Sequence, residues 1–216
     1  MAAEEFAKLL KENYEDKDLA RKLEAICPDC QCENIKIGEG SPGRVDDSEE
    51  LYRVMISPRD YDKVSNRMAQ KPFEKLFSSG LSVMRSVGTG DDFLEIAKDG
   101  LWSKPDDPTR EVQELSSART VDIRQMETRD GKRKFCIYDQ VVPLNRSAGT
   151  PVPTHAGIFQ REILSNVDDA KRLNRDMAYE LYKLFSENTI KVENFRGNLF
   201  GDLNEEARQG RYILVE

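Results

Sequence analysis

Leu51-Tyr52-Arg53-Val54-Met55-Ile56, closed by Ser57-Pro58, is the stretch on which the fold reading turns. A run of branched, aromatic and sulfur-bearing apolar side chains ended by proline reads as a β-strand. A second short strand is expected at Leu81–Arg85. Between the two, residues 60–71 and 72–78 read as short helices, with Pro72 at a tolerated first-turn position. Thr89 and Asp92 resemble a helix-start pair, Phe93, Leu94, Ile96 and Ala97 supply its buried side, and Gly100 its stop. Strands and helices are therefore mixed without regular βαβ alternation, which predicts an α+β fold with a mixed or antiparallel sheet.

Further along, Val121 and Ile123 alternate with Asp122 and Arg124, and Phe135, Ile137 and Val141 alternate on the return, with Asp130-Gly131 between them. This pattern predicts a central hairpin, its glycine accepting the positive φ of a tight turn. Residues 168–186 form the strongest helix pattern, with Leu173, Met177, Leu181 and Leu184 on one stripe. The tail offers strands near residues 189–192 and 211–215, around a short helix at 204–209. At the other end, residues 1–26 read as an amphipathic helix carrying Phe6, Leu9, Leu10 and Tyr14, continued by Leu19, Leu23 and Ile26. Its apolar stripe must dock on the body or meet a partner. A short strand is expected at residues 34–37. The layout is then an N-terminal helix and cysteine cluster (1–37), a linker (38–50), an α+β core (51–187) and a C-terminal extension (188–216).

The chain has 216 residues, 38% of them apolar, enough to bury a core, so a disordered or fibrous polymer is excluded. Forty acidic against thirty-three basic residues leave a formal charge of −7, which argues against nucleic acid or anionic lipid as partner. No stretch is long and apolar enough to cross a bilayer, and Met1-Ala2-Ala3-Glu4-Glu5 is unlike a secretory leader. A cytoplasmic protein is expected.

Cys27-Pro28-Asp29-Cys30-Gln31-Cys32 is the densest cluster of reactive side chains. The Cys-Pro-x-Cys spacing suits a zinc knuckle with Cys27, Cys30 and Cys32 as ligands. A fourth ligand would be remote: Cys136, His155 or a carboxylate. A redox pair and unligated thiols are the alternatives. Gly38-Glu39-Gly40-Ser41-Pro42-Gly43 matches a dinucleotide-binding spacing, but the acids that follow it would repel a pyrophosphate. Arg53 places a guanidinium inside an apolar strand, where it needs a carboxylate, solvent or an anionic ligand. His155, the only histidine, follows a proline-rich loop and opens an apolar segment. It suits either a backbone-bonded structural role or proton transfer near neutral pH.

Leu51-Tyr52-Arg53, Gly80-Leu81-Ser82-Val83 and Thr154-His155-Ala156-Gly157-Ile158 resemble, in this order, blocks shared by a loose set of uncharacterised bacterial proteins. The likeness spans residues 51–185 and implies that Arg53, Ser82 and His155 belong to one site. The chain is also similar to ADP-ribosyltransferase folds of the arginine–serine–glutamate type. That resemblance implies that Arg53 and Ser82 hold NAD and that Glu162 is the catalytic acid. Two functions are thus expected: an accessory protein working with a protein partner over the N-terminal helix, or a small nucleotide- or NAD-handling enzyme around Arg53, Ser82 and His155.

Overall fold

The computed structural model describes residues 2–12, 16–102, 107, 109–141, 151–161, 167–195 and 199–209. In chain order it contains α1 (Ala2–Glu12), α2 (Leu19–Ile26), β1 (Glu50–Ser57), β2 (Leu81–Arg85), α3 (Gly90–Trp102), β3 (Glu111–Arg119) and α4 (Thr120–Arg124). Then follow β4 (Phe135–Asp139), β5 (His155–Gln160), α5 (Val167–Ser186), β6 (Thr189–Lys191) and α6 (Gly201–Arg208). The strands form a six-stranded sheet in the order β4-β5-β2-β1-β3-β6, every neighbour antiparallel. The fold is α+β. No helix among the described residues is long and apolar enough to cross a membrane.

Alternation along the strands gives each face its own cover. Leu51, Met55, Leu81, Val83, Ile137 and Ile158 pack against Met177, Ala178, Leu181 and Phe185 of α5, with Phe73 and Leu76 of the 3-10 helix Lys71–Phe77. The opposite face is divided. Val54, Ile56, Met84, Val112 and Leu115 meet Phe93 and Ala97 of α3 and Leu203 of α6. Cys136, Tyr138 and Phe159 meet Phe6 and Leu10 of α1 and Leu19 and Leu23 of α2. Ser82, on the strand between these two clusters, is exposed.

The N-terminal stripe is therefore spent on the chain's own sheet. It is split between two helices rather than carried by one. Asp16 breaks it: its carboxylate accepts from the Asp18 N–H at 2.8 Å and pairs with Lys22, a local bond that competes with helix continuation. The break lets Phe6 and Leu23 reach one cluster from two directions. Leu23 is 1% exposed, so Leu23→Ala is expected to cost about 2–5 kcal/mol, read by urea unfolding. A loss below about 0.5 kcal/mol, the range of ordinary surface changes, would mean that this docking is not part of the cooperative fold.

Several local expectations are corrected. Residues 34–37 form no strand; Pro28–Asn34 is 3-10 turns interrupted by a kink at Asp29 and Cys30, and the Ile37 N–H donates to the Asp139 carboxylate at 2.9 Å instead of to a neighbouring strand. Residues 60–70 form a loop rather than a helix, because Asp62 draws the N–H groups of Val64 and Ser65 onto its side chain. The first arm of the expected hairpin is helical: α4 buries Thr120, Ile123 and Arg124. What remains of the hairpin is a Glu127–Arg133 bridge around Gly131 (φ 76°), while β4 pairs with β5. Helix α3 runs through Gly100 to Trp102. The strand expected at residues 211–215 lies outside the described residues.

Of residues 38–50, expected as a linker, 38–49 lack regular structure yet lie against the body, and Glu50 opens β1. Ser41, Val45 and Glu49 are buried. Arg85 donates to the carbonyls of Gly43 and Arg44, and Arg124 to that of Val45. These bonds answer the backbone groups that an irregular buried segment would otherwise leave unpaired.

Candidate functional site

The site begins where β1 and β2 part. Strand β1 pairs with β3 along its whole length, but its register with β2 covers only Leu51–Arg85 and Tyr52–Met84. Past Tyr52 the Ser82 carbonyl is met by a side chain: Arg53 Nη1 donates to it at 3.1 Å. The Arg53 guanidinium also lies 5.7 Å from the centre of the Phe73 ring, a cation–π contact. Arg53 is buried, and its Nε has no hydrogen-bond partner among the described residues. Burial draws its pKa down to about 10, with Asp60 opposing and Arg59 adding to that shift. It stays charged at neutral pH. Its closest electrostatic counterpart, Asp60, is already held by Arg59 through bonds of 2.9 and 2.6 Å. Burial works against ionisation of Asp60, yet those bonds and the two guanidinium charges keep its carboxyl below the usual range.

His155 lies one strand away on β5. Its Nδ1 is 2.9 Å from the Gln140 carbonyl oxygen and its Nε2 is 2.5 Å from Ser82 Oγ. A carbonyl can only accept, so Nδ1 carries the proton and Nε2 presents its lone pair. The Ser82 hydroxyl therefore donates to His155. The imidazole is 1% exposed, and burial lowers its pKa to about 4, against a smaller opposing effect of the Gln140 bond. It is neutral over the physiological range. Ser82 stands exposed in front of a buried, neutral base whose tautomer is set by the main chain.

Gly157 makes room for this arrangement. A Cβ there would fall 2.6 Å from Gln140 Oε1 and 2.5 Å from the Phe159 ring, so any larger residue would have to push aside these two side chains next to His155. Over these groups opens a cleft of about 970 Å³. Tyr52, Arg53, Ser82, Gln140 and His155 line it, and its walls carry both signs of charge, Arg59, Lys71 and Lys75 beside Asp60, Glu74 and Asp99.

Arg53, Ser82 and His155, separated by up to 102 positions in sequence, all line this cleft. The Ser82 hydroxyl and His155 touch each other, whereas Arg53 reaches the Ser82 main-chain carbonyl from the sheet face that carries Leu51 and Met55 and packs on Phe73. Glu162, expected as the acid, lies outside the described residues. Cys27, Cys30 and Cys32 are not in the cleft. Cys27 is disulfide-bonded to Cys32 and Cys30 to Cys136. This differs from the expected zinc knuckle for a chemical reason: a disulfide sulfur offers no thiolate. With the sulfurs paired, no group of three or more His, Cys, Asp or Glu side chains among the described residues is placed to hold a metal. Sequence reasoning missed Gln140 and Asp60. Gln140 acts through its carbonyl, which no side-chain motif encodes. Asp60 could have been sought as the acid nearest an arginine-bearing strand.

No protein-family model, no curated protein and no solved structure matches this chain. Its chemistry is argued from the site itself.

Proposed function

We propose that the cleft binds a small phosphate- or carboxylate-bearing molecule and that Ser82 attacks it with His155 as base. The observation that carries this reading is the exposed Ser82 hydroxyl donating to the unprotonated Nε2 of a buried histidine. In the step, Ser82 Oγ bonds to an electrophilic carbonyl carbon or phosphorus, and its proton passes to His155 Nε2. The leaving group departs with that proton. Water then repeats the sequence and releases Ser82. Arg53 supplies the fixed charge for the anionic group. Nucleotides and NAD are the instances that the ADP-ribosyltransferase likeness implies. The orienting partner of His155 is a neutral carbonyl rather than a carboxylate, so the imidazolium gains less support than in a serine–histidine–aspartate triad, where altering the aspartate alone costs about 10⁴ in rate. Slow turnover is expected.

The accessory-protein reading, the one the sequence puts first, sets a partner over the N-terminal helix; the apolar stripe there packs against the chain's own sheet, which lends that reading no support. The test is covalent labelling with a fluorophosphonate, which reports serine nucleophilicity without knowledge of the substrate. Mass spectrometry should place the adduct on Ser82, with the rate lowered by about 10²-fold or more in His155→Gln and the adduct absent in Ser82→Ala. Labelling elsewhere, or at an unchanged rate without His155, would remove the proposal.

A further inference from the structure

The four cysteines occupy one buried corner, between the N-terminal helices and the edge strand β4, and none is more than 6% exposed. We propose that in the reduced chain Cys27, Cys30, Cys32 and Cys136 bind one zinc ion as four thiolates, and that Cys136 is the fourth ligand. The choice follows from placement. His155 is committed to Ser82 and Gln140 in the cleft, whereas the Cα atoms of Cys136 and Cys30 are 5.2 Å apart and those of Cys27 and Cys32 are 5.9 Å apart. Cys30 lies two residues from Cys32, so their Cα atoms are at most about 7 Å apart. Tetrahedral zinc with bonds of about 2.3 Å sets its sulfurs roughly 3.8 Å from one another. Opening each S–S bond to that separation needs side-chain rotation rather than movement of the strand.

Two further observations point to an ion at this corner. Asp29 and Cys30 both lie in the left-handed region, φ 59° and 57°, in a turn begun by Pro28. Consecutive non-glycine residues there cost about 1–2 kcal/mol each and persist where the surroundings repay them. The turn directs three cysteines of a six-residue stretch to one cluster. The second observation is charge. A zinc ion with four thiolates carries a net −2, which a buried corner must answer. Arg133 reaches across it, bonded to Glu33 beside Cys32 and to the carbonyl of Phe135 beside Cys136. Its buried Nε has no hydrogen-bond partner among the described residues. Arg161 is shared between Asp29 beside Cys30 and Glu24, so it and Arg133 bring cations to the corner already paired with carboxylates. Four soft sulfur ligands in tetrahedral array favour zinc over harder cations.

The redox balance is explicit. Two molecules of a dithiol reductant cleave the two disulfides, giving four protein thiols and two oxidised dithiols. Zinc then displaces the thiol protons as the sulfurs bind it. Either state fastens the turn after α2 to β4, by the Cys30–Cys136 disulfide when oxidised and by the metal when reduced.

The experiment is an anaerobic titration of the untagged, dithiol-reduced, metal-free full-length chain with cobalt(II). The expected result is the absorption of a tetrahedral cobalt tetrathiolate, saturating at one ion per chain and abolished by one equivalent of zinc. Losing even a partner of a ligand weakens metal sites by 10–100-fold, so Cys136→Ser is expected to weaken binding at least about tenfold. Absence of the tetrathiolate spectrum in wild-type chain, with four free thiols shown by thiol counting, would overturn the proposal. So would a Cys136→Ser protein with the wild-type spectrum and affinity. The wild-type titration decides the matter even if that variant does not fold.

Discussion

Arg85→Met is expected to destabilise the protein by about 3–5 kcal/mol, the loss that follows when one partner of a buried charge cluster is removed. Arg85 is 1% exposed and is among the largest fully buried side chains. It donates to both oxygens of buried Glu49 at 2.8 and 2.6 Å, to the Gly43 and Arg44 carbonyls, and to Asp139 at 3.3 Å. Asp139 is itself pushed above its ordinary pKa by burial, against the opposing bonds of Ile37, Ser41 and Arg85. Methionine would preserve much of the volume but leave two buried carboxylates without their cation and two carbonyls without a donor. The segment 38–50 would lose its main attachment. Urea unfolding checks this directly, and a loss under about 1 kcal/mol would contradict it. The double variant Arg85→Met, Glu49→Gln should recover part of the deficit, because one uncompensated charge is then gone. By contrast Arg119→Ala, which breaks an exposed pair with Asp122, should change stability by no more than about 1 kcal/mol.

The comparison of Arg85 with Arg53 shows what local sequence can and cannot reveal. Both interrupt apolar strands, and both had to find an answer for a buried charge. For Arg53 the need was legible because Tyr52, Val54, Met55 and Ile56 surround it. For Arg85 the answer came from Glu49 and Asp139, 36 and 54 residues away, and from carbonyls in a stretch that reads as a linker. Periodicity performed best where one face is buried by one neighbour: α5 and β2 lie where their patterns place them. It failed at residues 120–124, where Val121 and Ile123 alternate as in a strand but the chain turns into helix after β3. It also passed over β3, whose central Ser116 and Ser117 interrupt the apolar pattern although both are buried. The grouping of Arg53, Ser82 and His155 was legible as three short blocks. The cause of their grouping, strands β1, β2 and β5 standing side by side, is a long-range pairing that no single block contains.

His155 makes the second large effect visible in pH. Its folded-state pKa is lowered to about 4 by burial, while the unfolded chain titrates near the ordinary imidazole value of 6.5. Between those limits the unfolded chain binds a proton that the native protein does not. Stability from this group is therefore complete above about pH 6.5 and falls away as the pH drops toward 4, by roughly 3 kcal/mol over the window. Carboxylates contribute to acid sensitivity as well, chiefly at the lower end. Because the chain has a single histidine, the contribution can be isolated as the difference between wild type and His155→Gln. Wild-type unfolding free energy should drop steeply between pH 6.5 and 4, while the variant, though less stable at pH 7, should show a shallower slope. The imidazole carbon resonances, followed by NMR in the native protein, should stay those of the Nδ1–H tautomer through the mildly acidic range and shift only as the pH approaches 4. Parallel pH profiles, or a histidine that titrates near 6.5 in the native state, would show that the imidazole is not sealed beneath Ser82. It would then be protonated in part at mildly acidic pH, and that fraction could not accept the serine proton. The pH profile thus tests the feature on which the nucleophile assignment depends, a histidine kept neutral by burial and aimed by the Gln140 carbonyl at the Ser82 hydroxyl.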